Sequence, residues 1–258
     1  MGRKRLLPGL TIKDGFMRHP FDIEHHVQTS GLIHGRDLTT GHPNDKHNTA
    51  YYGIAPSVLI DLIDWWRATQ LVAPPYDYTF LDLGAGMGRG MLVASRMPFR
   101  EVIGVELHPD LADLARKNIR TWELAGRARC PLRIVEQDVT EFQFPAGPCV
   151  AYLFNPFREP VLRALLTSIE RQFAGRHGQP GQIDLLYAND EFEEVLAKRP
   201  GWQQLWRGLI PLSKEDETAD RNILNNQPDG EYAWSTDEPC AIYRWVGTAP
   251  GQIRRARA

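Results

Sequence analysis

The sequence predicts an α/β protein built on a doubly wound, mostly parallel sheet that ends in an antiparallel pair. Three observations carry this. Between residues 78 and 198, strand-like apolar runs alternate with helical patterns at least four times, which argues for a parallel sheet covered on both faces. The first of these runs ends in a glycine-rich turn over 84–90. The last two strand-like stretches, 202–210 and 239–246, have no helical pattern between them, so an antiparallel pair is expected.

The elements follow in order. Residues 1–50 hold neither the strand period nor the helix period for long, and residues 1–55 are expected to form an irregular extension that covers the site as a lid. Pro56 stands where a helix favours proline, at its first turn. Leu59, Leu62, Ile63 and Trp66 give that helix an apolar face, and Pro74-Pro75 closes it. Strands are expected at 79–83, 101–106, 133–137, 149–154 and 182–188. Helices are expected at 91–97, 109–124 and 161–173, the last ended by Gly175 and Gly178, with a short one near 191–198. The connection 211–238 carries eight carboxylates against Lys214 and Arg221 and reads as an acidic, solvated loop. One domain over 56–248 is expected, followed by a basic tail at 249–258.

Composition excludes several classes. The chain has 258 residues, 30 Lys plus Arg and 32 Asp plus Glu, for a net charge of −2. With 42% hydrophobic and 10% aromatic residues it is expected to fold throughout, and its balanced charge speaks against a globally basic nucleic-acid binder. Cys130, Cys149 and Cys240 form no C-x-x-C pair and read as buried thiols in a reducing compartment. Six of the eight histidines lie at positions 19–47, but their spacing fits no common metal-ligand pattern. The basic start at Arg3-Lys4-Arg5 is followed by no apolar stretch of signal-peptide length, and no apolar run can span a bilayer. A soluble cytoplasmic protein with no membrane partner is expected.

The informative stretch runs from Phe80 through Asp82, Gly84, Ala85, Gly86, Gly88 and Arg89 to Gly90. A strand enters glycines and then a helix, so the turn lies at the carboxyl edge of the sheet, where open α/β folds bind ligands. The dinucleotide pattern G-x-G-x-x-G fails, because position 89 is arginine. That disfavours a nicotinamide dehydrogenase. Asp82 would repel a pyrophosphate but attract a ligand carrying an ammonium and a sulfonium. Glu106 ends the next strand, where a carboxylate can accept from both ribose hydroxyls.

Together these residues resemble the class I S-adenosylmethionine-dependent methyltransferases over roughly residues 52–246. The resemblance implies a Rossmann-like sheet with a late antiparallel hairpin, and S-adenosyl-L-methionine as cofactor. It implies that the loop Asp82–Gly88, with Ala85, holds the methionine portion and that Glu106 holds the ribose. Asp138 and Val139, after the third strand, would hold the adenine; Asp138 also reads as a helix cap. Asn155, in Phe154-Asn155-Pro156-Phe157, would stand beside the reacting methyl and the cofactor. The stretch Tyr78–Ile119, with Thr29-Ser30-Gly31 and Tyr52…Pro56-Ser57, is similar to a bacterial group of this class that implies no particular acceptor. The Tyr-x-x-x-Pro-Ser arrangement is also loosely similar to lysine methyltransferases that lack the histone-type catalytic domain.

Methyl transfer from a sulfonium needs the nucleophile and methyl held in line. The Asn155 amide oxygen is the leading candidate to orient an acceptor amine; the alternative is that Asn155-Pro156 only shapes a turn. The motif departs from the N-P-P-Y of enzymes that methylate amino groups of nucleic acids and glutamine, which puts those acceptors in doubt. Tyr52 is expected to cover the cofactor or line the methyl channel, or else to pack at a helix entry. Asn189, Asp190 and Glu191 contact substrate or cap a helix. His108 reads as a surface residue near the ribose, and Trp202, Trp206, Trp234 and Trp245 as core packing or a substrate stack. The expected acceptor is an amine of a protein side chain or small molecule. A nucleic acid is disfavoured, and a non-catalytic cofactor-binding scaffold is the alternative outside enzymes.

Overall fold

The computed structural model describes residues 18–174, 182–225 and 232–247. The basic ends and the helix-ending Gly175 and Gly178 lie outside them. Seven strands form one sheet: β1 (Thr79–Leu83), β2 (Glu101–Glu106), β3 (Leu132–Glu136), β4 (Cys149–Phe154), β5 (Ile183–Ala188), β6 (Trp202–Pro211) and β7 (Asp237–Trp245). Their spatial order is β3-β2-β1-β4-β5-β7-β6. The first five are parallel, and β7 runs antiparallel to both β5 and β6. The chain reverses sheet direction on either side of β1, which opens a crevice at the carboxyl ends of β1 and β4.

Helices α1 (Pro20–His25), α2 (Pro56–Arg67), α3 (Arg89–Ala94) and α4 (Pro109–Leu124) contribute to one apolar layer. Leu59, Leu62 and Trp66 of α2 pack there with Phe80, Val102 and Val150 of the sheet. Helices α5 (Glu159–Ala174) and α6 (Glu193–Ala197) cover the other face, where Leu165 and Ile169 meet Leu81, Ile103 and Leu185. The alternation Phe80/Leu81 sends neighbouring side chains to opposite layers, as a strand buried on both faces requires. Trp66 donates its indole N–H to Asp184 at 2.7 Å, and Arg244 grips the same carboxylate at 2.7 and 2.8 Å. That fully buried acid is therefore paired and hydrogen-bonded, as a charge in an apolar layer must be. Cys130, Cys149 and Cys240 are free and buried.

Two expectations are corrected. The connection 211–238 is not a plain loop: it contains α7 (Lys214–Asn225), with Asp216, Ala219, Asp220, Ile223 and Leu224 buried. Those five positions form a helical stripe, but two are aspartates, so a hydrophobicity pattern hides it. The aspartates tolerate burial because each has partners. Ser57 N–H donates to Asp216 at 2.9 Å, and His19 Nε2 lies 3.3 Å away. The Tyr52 hydroxyl donates to Asp220 at 2.7 Å. Likewise, the described part of the N-terminal segment, residues 18–55, is more ordered than its irregular pattern suggested. It holds α1, two short 3-10 turns and a bridge between Ile33 and Tyr51, and it buries Phe21, Val27, Ile33, Leu38 and Ile54.

Candidate active site

The site grows from the turn after β1. Gly84, Gly86 and Gly88 all have positive φ, at 85°, 54° and 88°, which an L side chain rarely adopts. Space adds a second demand. A Cβ on Gly86 would lie 2.2 Å from the Tyr51 ring, and one on Gly84 2.3 Å from Pro156. The loop therefore turns tightly with Tyr51 pressed against it, and α3 starts from Gly88.

Glu106, at the end of β2, reaches back to this loop. Gly86 N–H donates to one carboxylate oxygen at 2.7 Å, and His108 N–H to the other at 2.8 Å. Each oxygen keeps a second lone pair for a ligand. Burial nevertheless raises the Glu106 pKa above the usual carboxylate range. Asp82 is only 4% exposed, and burial together with the nearby Glu106 charge pushes it up to about 7. A cation entering here would favour the ionised form of Asp82.

Arg89, the residue that breaks the dinucleotide pattern, is no phosphate ligand. It is 3% exposed. Its Nε donates to the Thr29 hydroxyl at 2.7 Å, and its terminal nitrogens donate to Gly53 O, Ile54 O and the Ser30 hydroxyl. Asp22 lies 3.9 Å away and accepts from the backbone N–H and hydroxyl of both Thr29 and Ser30. Thr29-Ser30 thus belongs to a buried strut between the N-terminal segment and the glycine loop. Sequence reasoning missed this strut; the departure at position 89 was its one visible sign.

Two cavities lie at this sheet edge. The first has about 910 Å³ of empty space including its mouth and is lined by Asp82, Gly84, Ala85, Gly86, Glu106, Asp138 and Val139. Seven of the proposed cofactor residues therefore come together. Gly88 is absent from this lining; it starts α3. Asp138 accepts from Asn44 Nδ2 at 2.6 Å and from Thr140 N–H at 2.7 Å, so it caps a turn as well as facing the cavity. His108 is buried rather than a surface residue, because its ring accepts from Asp110 N–H at the start of α4. Burial lowers its pKa. Tyr51 was missed: it lines the cavity and donates its hydroxyl to Thr29 O at 2.7 Å.

The second cavity is larger, about 2130 Å³ including open space. Asn155 lines this one and not the first. It has a φ of 39°; its Nδ2 donates to Glu191 at 2.8 Å and its Oδ1 accepts from the Tyr187 hydroxyl at 3.2 Å. Asn189 and Glu191 line the same cavity, whereas Asp190 is held by Arg207 at 2.8 Å. Tyr52 and Phe154 line both cavities. The tryptophans do not enter either lining among the described residues. Trp202 and Trp245 pack in the core, Trp206 stacks on Trp65, and Arg221 lies over Trp234.

No protein-family model matches the chain. A segment of 69 residues is 41% identical to the release factor glutamine methyltransferase of Vibrio cholerae, covering 25% of this chain and 24% of that one. The chain thus matches about a quarter of that relative's length. Among solved structures, PH1948 of Pyrococcus horikoshii, provisionally assigned as an RNA methyltransferase, is 17% identical with a TM-score of 0.47, over 76% of this chain and 84% of that one. Magnesium protoporphyrin IX methyltransferase from Synechocystis PCC 6803, solved with bound S-adenosylmethionine, is 10% identical with a TM-score of 0.44, over 74% and 77%. Among the described residues, no helix is long and apolar enough to cross a membrane. Five parallel strands, a reversed β7 and a glycine loop after β1 give this chain the Rossmann-like class I methyltransferase fold, and its similarity in sequence is to a methyltransferase.

Proposed function

We propose that the protein transfers a methyl group from S-adenosyl-L-methionine, held in the first cavity, to an acceptor held in the second. The observation that carries this reading is the shared wall: Tyr52 and Phe154 line both cavities, so a group from each side can meet there. When bound, the cofactor would supply a methyl group activated by its sulfonium. This chain's residues fit that group. Asp82 would offer a carboxylate to its cationic end, Glu106 would offer two oxygens to the ribose diol, and Asp138 and Val139 would hold the adenine. The glycine loop admits the methionine backbone, and Arg89 has its donors engaged and offers no cradle for a pyrophosphate.

The protein's part in the transfer is positioning and exclusion of water. Tyr51 to Ile54 line the first cavity, and residues 20–55 act as its cover. Asn155 faces the acceptor, its amide held by Tyr187 and Glu191 so that the remaining lone pair of Oδ1 can accept from an acceptor N–H. The acceptor is an amine of a small molecule or a protein side chain. The expectation against nucleic acid rests on the balanced charge and on the departure of Asn155-Pro156-Phe157 from N-P-P-Y.

Labelled S-adenosylmethionine incubated with the protein and fractionated host lysate tests the reading. Label in the protein or small-molecule fraction is the expected result. Label in RNA would move the acceptor to nucleic acid, and no label in any fraction would favour a scaffold. Calorimetry supplies the companion measurement: S-adenosylmethionine or its demethylated product binds, and NAD does not.

A further inference from the structure

Two turns at neighbouring strand ends meet in the second cavity. One is Asn155-Pro156-Phe157 after β4, the other Asn189-Asp190-Glu191 after β5. Asn155 and Asn189 have positive φ, at 39° and 49°, so the chain bends sharply as it leaves each strand. The second turn is anchored on both sides of Glu191. Asp190 N–H donates to Pro239 O at 3.3 Å, and its carboxylate accepts from Arg207. Phe192 N–H donates to the Tyr187 hydroxyl at 3.4 Å. Glu191, between these two anchors, lines the cavity with Asn155.

A hydrogen-bond chain joins the two turns, and its direction is fixed. The Tyr187 oxygen accepts from Phe192, which leaves its proton to donate to Asn155 Oδ1 at 3.2 Å. Burial raises the Tyr187 pKa above its ordinary value, so that proton stays in place near neutrality. A carboxylate only accepts, and Glu191 Oε2 accepts from Asn155 Nδ2 at 2.8 Å. Both partners therefore select the same orientation of the amide. The backbone carbonyls of the turn are engaged as well. Thr49 donates its hydroxyl to Asn155 O at 2.5 Å and its N–H to Pro156 O at 3.4 Å. Two side-chain oxygens keep room for a ligand proton. One is Asn155 Oδ1, with its second lone pair. The other is Glu191 Oε1, which has no hydrogen-bond partner among the described residues. Arg36 and Arg158 line the same cavity, but among the described residues neither pairs with Glu191.

On the reading given under Proposed function, we infer that Glu191 receives the acceptor together with Asn155, and that the acceptor is a primary amine. One N–H goes to Asn155 Oδ1 and the other to Glu191 Oε1. With the carbon substituent, these fill three of the four tetrahedral directions at nitrogen. The fourth is the lone pair, the direction left open for a methyl group. A tertiary amine cannot satisfy both oxygens, and a hydroxyl has one proton for the two. Glu191 thus has two tasks: Oε2 fixes the Asn155 amide, and Oε1 counts the hydrogens on the acceptor.

The test uses full-length protein saturated with S-adenosylhomocysteine and isotope-labelled at its asparagine nitrogens. It is titrated by NMR with pentylammonium and with N,N-dimethylpentylammonium. Both probes carry the same charge at neutral pH, so the surrounding arginines and carboxylates act on them alike; they differ in their N–H groups. The Asn155 side-chain signal, assigned by its loss in Asn155→Gly, reports binding at this place. Pentylammonium is expected to bind about ten-fold more tightly than the dimethyl probe and to shift that signal. Glu191→Ala should bring the ratio below about three-fold. Its affinity for S-adenosylhomocysteine should stay within about two-fold, because Glu191 does not line the first cavity. Glu191→Gln, which still accepts through one oxygen, should keep an intermediate ratio, and it replaces Glu191→Ala where the thermal midpoint shows that variant unfolded. Equal binding of the two probes, binding of neither, or an undiminished ratio in the folded Glu191 variant overturns the inference and leaves the methyl-transfer reading standing. Failure of the wild-type protein to bind S-adenosylhomocysteine overturns that reading itself.

Discussion

The two cavities are built differently. The floor of the first comes from short turns after β1, β2 and β3, each following directly from its strand. The second is assembled from stretches far apart in sequence: 32–36, 48–55, 154–158, 189–192, 209–224 and 232–239. Parallel strands aligned in register deliver their ends to one edge whatever else the chain does, so local motifs suffice for the floor of the first cavity, over which residues of the N-terminal segment such as Leu38, Asn44 and Tyr51 then pack. The second needs the N-terminal segment, α7 and β7 to pack together. Its lining is therefore a property of tertiary contacts, and on the proposed reading this is where specificity for the acceptor would reside.

The largest effect should come from the strut that joins the regions. Arg89→Ala leaves Asp22 buried without its cation and should cost about 3–5 kcal/mol of stability in a denaturant titration. A loss below about 1 kcal/mol would mean that the segment is held by apolar packing alone. Replacing Asp22 by Asn as well should recover part of the loss, since the uncompensated charge goes with it.

Asp82 separates binding from stability. Its folded pKa of about 7 lies above the ordinary value of 3.8, so folding favours its neutral form. The stability it contributes is fully present below about pH 4 and is lost as pH rises through 7. Asp82→Asn should accordingly stabilise the ligand-free protein at pH 8 by up to about 4 kcal/mol and leave it unchanged at pH 4. The same variant should bind S-adenosylmethionine more weakly. Lower stability at pH 8 would show that Asp82 is held ionised by partners.

Glu106→Ala confines the damage to the first cavity. Loss of two charge-assisted hydrogen bonds to the ribose should weaken cofactor binding by about 1.5–3 kcal/mol, roughly 10-fold to 100-fold. Unchanged affinity in a folded variant would remove Glu106 from the site.

The smallest effect belongs to the second cavity. Asn155→Gly keeps the left-handed backbone but deletes the amide. If the amide orients the acceptor, single-turnover methyl transfer at saturating cofactor should fall about 10-fold, with cofactor affinity nearly constant. If Asn155 only sets the turn, Asn155→Gly is silent while Asn155→Ala loses stability.

Legibility in the sequence follows the same divide. Strands β1, β2 and β4 and helix α4 carry their boundaries in hydrophobic runs, glycines and Pro109, and the structure has them at the expected residues. The loop from Asp82 to Glu106 was readable because the chemistry needs specific residue types at fixed positions after two strands. Helix α7 was not readable, because its buried face carries Asp216 and Asp220, whose partners His19, Ser57 and Tyr52 lie more than 150 residues earlier. Arg89 looked only like a broken motif, since Thr29, Ser30 and Gly53 become its partners through folding. Tyr152 looked like one more apolar strand residue; only the packed structure shows it 1% exposed, with no hydrogen-bond partner for its hydroxyl among the described residues.

A structure of the protein with S-adenosylhomocysteine bound tests the central claim most directly. The account predicts the ribose diol on Glu106, the amino group beside Asp82, and the sulfur directed at the gap between Tyr52 and Phe154, facing the second cavity. A ligand in the first cavity with its sulfur turned away from that gap, or one seated outside it, would contradict the account.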